Sequence, residues 1–114
     1  MILTNAQILE SLTVLVQLEE TGMLGYAIAR NRKKLTEESK EYSAKRDELL
    51  REFGTEVGNG RFQLEPENAT KFQEALRPYS ELEIDIPVMQ VAPDVFCSGS
   101  LTSSQMFVLD WMVE

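Results

Sequence analysis

The sequence contains no histidine and only one cysteine, Cys97. A Cys/His zinc site, an intrachain disulfide and a Ser/His or Cys/His catalytic pair are therefore excluded. No basic side chain stands near Cys97 in the sequence to lower the pKa of its thiol, so we expect an unreactive, buried cysteine.

The sequence also lacks long hydrophobic runs and an excess of positive charge. No stretch approaches about 18 apolar residues, and the first residues do not combine a basic region with an apolar one, so we expect neither a membrane span nor a secretion signal. The net charge of −8 disfavours general binding to nucleic acids or anionic membranes. We therefore expect a cytoplasmic protein.

The residues that are present predict one domain, 1–114, of mainly α structure with a small β component. Hydrophobic residues make up 43% of the chain and charged residues 26%, which is typical of a globular fold. The predicted elements are helices at about 5–20, 26–53, 66–78 and 102–114, a hairpin at about 55–64 and one strand at about 82–91.

Local signals set these boundaries. Thr4 and Thr102 each precede a glutamine by three positions, which is the capping-box pattern of a helix start. Gly22 and Gly25 predict a helix end followed by a turn. The triplet 58–60, Gly-Asn-Gly, is typical of a hairpin turn.

The second predicted helix is the longest element and carries a narrow apolar stripe. About 28 residues would span roughly 42 Å, whereas a compact domain of this length has a radius of gyration of ~13 Å. We therefore expect the helix to project from its domain and to pair in a homo-oligomer. The predicted interface consists of apolar residues of this helix and of the C-terminal helix: Ile28, Leu35, Tyr42, Leu49, Phe107 and Trp111.

The same helix carries the strongest candidate for a binding site. Arg30, Arg32, Lys33 and Lys34 place four positive charges in five residues. Neighbouring helical residues point about 100° apart, so these charges cannot all face one ligand within one subunit. Subunits packed together could bring them around a phosphorylated small molecule. The alternative is a solvated surface balanced by nearby glutamates.

Four segments resemble a family of small uncharacterised proteins encoded by tailed phages and prophages: residues 1–5 (Met-Ile-Leu-Thr-Asn), 50–54, 60–68 and 101–114. The resemblance implies a long charged central helix, a glycine-rich hairpin, a helix opened by Pro-Glu-Asn and a C-terminal helix opened by Leu-Thr. It implies no catalytic residues. The stretch 97–100 departs from the family, in which this loop is usually more acidic.

These observations predict a protein that works by binding, without enzymatic activity, metal or cofactor. One hypothesis is a phage counter-defence or host-takeover protein that sequesters a phosphorylated immune signal or a host protein. The other is an accessory of virion tail assembly or a minor structural protein, which would place it in the virion.

Overall fold

The computed structural model describes residues 1–114 and confirms a mainly helical fold with a small antiparallel β component. In chain order its elements are β1 (Ile2–Thr4), α1 (Asn5–Leu15), α2 (Gly22–Phe53), β2 (Thr55–Gly58), β3 (Arg61–Gln63), α3 (Pro66–Ser80), β4 (Glu83–Asp85), α4 (Pro93–Phe96), α5 (Ser103–Val108) and a 3₁₀ turn (Asp110–Met112). No helix is both long and apolar enough to cross a membrane.

Both capping boxes are present. The side chain of Thr4 accepts a hydrogen bond from the backbone of Gln7, whose side chain accepts one from the backbone of Thr4, and Thr102 and Gln105 repeat the pattern. These reciprocal bonds satisfy backbone groups that a helix start leaves unpaired.

The glycines between the first two helices act differently from the prediction. Helix α1 ends at Leu15, five residues earlier than expected, and α2 begins at Gly22, which has a φ of +67°. Gly25 lies within the first turn of α2, where an added Cβ would overlap the carbonyl oxygen of Glu20. Gly25 thus permits close packing at a helix start and does not end a helix.

The long helix sets the length of the molecule, but its apolar stripe is covered within the chain and does not need the partner that the sequence predicts. Its 32 residues span about 48 Å, which matches the 48 Å long axis of the molecule. The first half packs into the main core with α1, and the second half packs on α3. There, Tyr42 and Leu49 form a smaller cluster with Phe72 and Leu76.

This packing removes the reason for which a partner was expected. Ile28, Leu35, Tyr42 and Leu49 are all buried within the single chain, as is Trp111. Of the six predicted interface residues only Phe107 is exposed, with 79% of its surface accessible. Self-association itself stays a prediction, but the apolar stripe of α2 does not require it.

One of the two small sheets contains a strand, β1, that the sequence pattern does not indicate. β1 pairs antiparallel with β4, with Leu3 opposite Ile84. The predicted strand at 82–91 is reduced to three residues, because Pro87 cannot donate to a ladder and because Met89 bonds to a helix side chain instead. Val91 then forms an isolated parallel bridge to Val113.

The hairpin and the C-terminal region complete the fold. β2 pairs antiparallel with β3 around Asn59, which has a positive φ between two glycines. Helix α3 continues through Pro78 to Ser80. The predicted C-terminal helix is broken at Leu109, where the backbone leaves the helical region, and the segment before it contains the short helix α4.

Candidate functional site

The predicted basic residues lie in the first half of α2. Arg30, Arg32 and Lys33 are exposed and Lys34 is half-buried. The residue between them, Asn31, faces the opposite way and is completely buried. The cluster is therefore a solvent-facing arc around one side of the helix.

One part of this arc lines the largest cavity of the molecule, about 650 Å³ in volume, which we call the basic cleft. Arg32, Lys33 and Lys40 supply its positive charge, since positions 32, 36 and 40 follow one ridge of the helix and position 33 lies on the next. Leu18 and Glu20, from the segment that joins α1 to α2, close one side, and Glu37 of α2 also lines the cleft. Three cations of one chain thus face a single cleft, and one of them, Lys40, was not among the predicted site residues.

The rest of the arc forms a smaller depression of about 320 Å³ lined by Arg30, Lys33, Lys34 and Glu37. The guanidinium of Arg30 is already engaged there, because Nη1 donates a hydrogen bond of 3.1 Å to the Tyr26 hydroxyl. The same group lies 5.7 Å from the centre of the Tyr26 ring. The four predicted basic residues therefore divide between two sites, with Lys33 at both.

None of the cations of the basic arc forms an ion pair within the chain. The molecule holds two ion pairs, Met1 with Asp85 and Lys45 with Glu48, and neither involves the arc. Glu20, at the edge of the cleft, is occupied elsewhere: its Oε1 accepts hydrogen bonds from the backbone and side chain of Ser100, at 2.8 and 2.9 Å. No carboxylate lies within 4 Å of the cationic atoms of Arg32, Lys33 or Lys40, in a chain with 19 acidic residues.

Asn31 is the residue that organises this half of α2, and charge patterning gave no sign of it. Its Nδ2 donates to the carbonyl of Met89 at 2.9 Å, and its Oδ1 accepts from the Met89 backbone N–H at 2.7 Å. The segment after β4 is thereby fixed against the helix. The only sign of this role is that Asn31 points away from water while its neighbours in the basic run are exposed, and the composition of the sequence does not show this.

A second surface, which we call the apolar groove, lies between β1 and the C-terminal segment. It encloses about 500 Å³ and is lined on its apolar side by Met1, Ile2, Leu3, Phe107, Val108, Trp111 and Val113. Trp111 is anchored beneath it, since its Nε1 donates a 3.0 Å hydrogen bond to Ser11. Phe107 and Ile2 remain exposed.

Two further features bear on chemistry. Cys97 is exposed, so the expectation of a buried thiol is wrong; it lies in the first turn after α4, where its side chain has no apolar layer over it. No group of three or more acidic or cysteine side chains converges in a way that could hold a metal ion.

Comparison of the chain with protein-family models, with curated proteins and with solved structures finds no match. The candidate site is therefore defined by its own geometry.

Proposed function

We propose that this chain is a non-enzymatic binding protein whose basic cleft takes a phosphate-bearing small molecule. The observation that carries the proposal is the set of three cations, Arg32, Lys33 and Lys40, which line one cleft and form no ion pair within the chain. Guanidinium and ammonium groups donate charge-assisted hydrogen bonds to phosphate oxygens.

The size and lining of the cleft support a ligand larger than a free ion. A volume of about 650 Å³ lies within the range of small-molecule sites. Leu18, Ile28 and Ala29 add apolar surface beside the cations, and Thr36 adds a hydroxyl whose proton is donated to the Arg32 carbonyl. A nucleotide, with one phosphate end and one flat apolar end, has this combination of properties.

The biological role that we propose is counter-defence or host takeover by a phage, in which the protein sequesters a phosphorylated immune signal in the bacterial cytoplasm. The resemblance to small phage and prophage proteins supports this setting. Sequestration needs affinity without chemistry, and it fits a site that has cations but no histidine.

The test is calorimetric titration of the protein with AMP, a cyclic dinucleotide and adenosine. A charge-assisted hydrogen bond contributes about 1.5–3 kcal/mol, so Arg32→Gln or Lys33→Gln should weaken binding of the phosphorylated probes about tenfold or more. Lys71→Gln, which removes an exposed cation from α3, is the matched control and should leave binding unchanged. Equal binding of adenosine, or equal losses in all three variants, would refute the proposal.

Native mass spectrometry of the protein purified from infected and uninfected cells gives an independent test. Retention of a nucleotide-sized mass by the unaltered chain, and its loss from Lys33→Gln, would support sequestration. The subunit count from the same spectra tests the predicted homo-oligomer, whose interface would have to use surfaces other than the buried stripe of α2.

The second candidate function is a virion assembly accessory, and the apolar groove favours it. A side chain as exposed as Phe107, next to exposed Ile2, is the kind of surface that repeated protein contacts cover. Phe107→Ser should then reduce incorporation of the protein into purified particles, while Tyr26→Ser, which removes an exposed aromatic residue on α2, should not. Absence of the unaltered protein from particles would remove this candidate.

A further inference from the structure

A third cavity borders α2 next to the basic cleft, with Glu37 lining both, and its own lining is mainly acidic. It encloses about 470 Å³ between α2, the start of α1 and the segment from Tyr79 to Ile84. Glu37, Glu38 and Glu41 contribute three carboxylates to it. None of the three forms an ion pair within the chain.

One polar atom at this cavity lacks a partner. Asn5 lines the cavity with only 4% of its surface exposed, and its Oδ1 is buried and accepts no hydrogen bond. The orientation of the amide is fixed, because Nδ2 donates a 2.9 Å hydrogen bond to the carbonyl of Tyr79, which can only accept. The atom left over is thus an acceptor. A buried acceptor without a donor is unfavourable, and a bound donor would relieve that cost.

The remaining lining indicates what kind of donor fits. Leu82 and Ile84 offer apolar surface, and the rings of Tyr42 and Tyr79 line the same space. Lys45 already holds its Nζ 5.2 Å from the centre of the Tyr79 ring, so an ammonium group is accommodated at this wall. That ammonium is paired with Glu48, which lies outside the cavity lining, so none of the three lining carboxylates has an ion-pair partner.

We propose that this acidic cavity binds a protonated primary amine carried on a short alkyl chain, with the ammonium group donating to Asn5 Oδ1. The carboxylates at the mouth attract the charge, and the leucine, isoleucine and tyrosine side chains cover the methylene groups. The carboxylates do not converge as metal ligands do, which favours an organic cation over a metal ion. The ligand is opposite in charge to the one proposed for the basic cleft, and Glu37 is the one residue that lines both sites.

The probes are 1,4-diaminobutane, n-butylamine and the neutral n-butanol, titrated into isotopically labelled protein and followed by nuclear magnetic resonance at pH 7. The two amines should shift the Asn5 side-chain amide and the Tyr79 backbone, with dissociation constants in the millimolar range expected of such small ligands. Butanol should bind at least tenfold more weakly. Equal binding of butanol, or shifts that leave Asn5 and Tyr79 unmoved, would overturn the proposal.

Variants separate binding from folding. Glu38→Gln and Glu41→Gln change exposed carboxylates, so the fold should be retained and amine affinity should fall about threefold to tenfold for each. Glu74→Gln, an exposed carboxylate of α3 outside the cavity, is the control and should have no effect. If all three variants bind equally, the carboxylates do not recruit the ligand and the proposal fails.

A final arm identifies the source of the amine. A short peptide with one lysine is compared with 1,4-diaminobutane and with the same peptide carrying norleucine in place of lysine. Tighter binding of the lysine peptide than of the diamine would assign the cavity to a protein side chain, and the reverse order would assign it to a free polyamine. Equal binding of the lysine and norleucine peptides, together with no binding of the diamine, would refute an amine site.

Discussion

Replacement of Asn31 is the sharpest test of how the fold supports the basic arc. Asn31→Ala removes two hydrogen bonds, at 2.7 and 2.9 Å, and leaves both the N–H and the C=O of Met89 without a partner. A net hydrogen bond contributes about 1 kcal/mol, and an unsatisfied buried group costs about 1–3 kcal/mol. Since Met89 is half-buried and water can reach it in part, we expect a total loss of about 2–4 kcal/mol in the free energy of unfolding.

The measurement is urea unfolding followed by circular dichroism and by Trp111 fluorescence. Asn31→Asp provides the matched variant, because it keeps the size of the side chain and one acceptor but places a charge against the Met89 carbonyl. Burial should raise the pKa of that carboxyl above its unfolded value, so relative to the unaltered protein the variant should lose stability as pH rises from about 4 to 7. A loss below about 1 kcal/mol for Asn31→Ala, or a pH-independent deficit for Asn31→Asp, would refute the role assigned to this residue.

Three further predictions concern other parts of the chain. Gly25→Ala should destabilise the protein by about 1–3 kcal/mol in urea unfolding, because its Cβ would overlap the Glu20 carbonyl oxygen; stability equal to the unaltered protein would contradict this. Leu49→Ala should lower the free energy of unfolding by about 2–4 kcal/mol, because Leu49 is buried against α3. Unchanged stability of this variant would show that the smaller cluster is not formed. Burial raises the pKa of Tyr42, although the positive charge of Arg46 opposes the shift. The unfolded chain therefore releases this proton first, stability should fall as pH rises above about 10, and Tyr42→Phe should make the fall shallower; identical slopes would contradict the assignment.

Signals that act within a few residues could be interpreted from the sequence. The capping boxes at Thr4 and Thr102, the turn at 58–60 and the uninterrupted helix-forming composition of 26–53 each depend on neighbours in the chain. The mainly helical fold with a small antiparallel component follows from them. Even so, the end of α1 and the start of α2 differ from the prediction, because a glycine at position 25 is required by its contact with Glu20 and not by the local backbone conformation.

Features that depend on distant segments could not be predicted in the same way. The stripe of α2 is recognisable as apolar from the sequence, but part of its cover is α3, which lies later in the chain, so the local pattern predicts a partner subunit instead. β1 has only three residues, and they form a strand because they pair with β4. Likewise, the cluster at 30–34 was visible as charge, while the cleft also needs Lys40 and the 18–20 segment to take shape.

The pairing of β1 with β4 has a consequence for the order in which the chain folds. Leu3 and Ile84 are partners in this ladder, although α2, the hairpin and α3 all lie between them in the sequence. The contacts between α2 and α3 have much shorter sequence separations, so we expect this unit to form before the strands pair. Closure of so long a loop carries most of its entropy cost before any ladder bond forms, so the strand pair should be the last element to form and the first to open. In native-state hydrogen exchange, the amides of Leu3 and Ile84 should exchange by a sub-global opening, ahead of those of Tyr42 and Leu49.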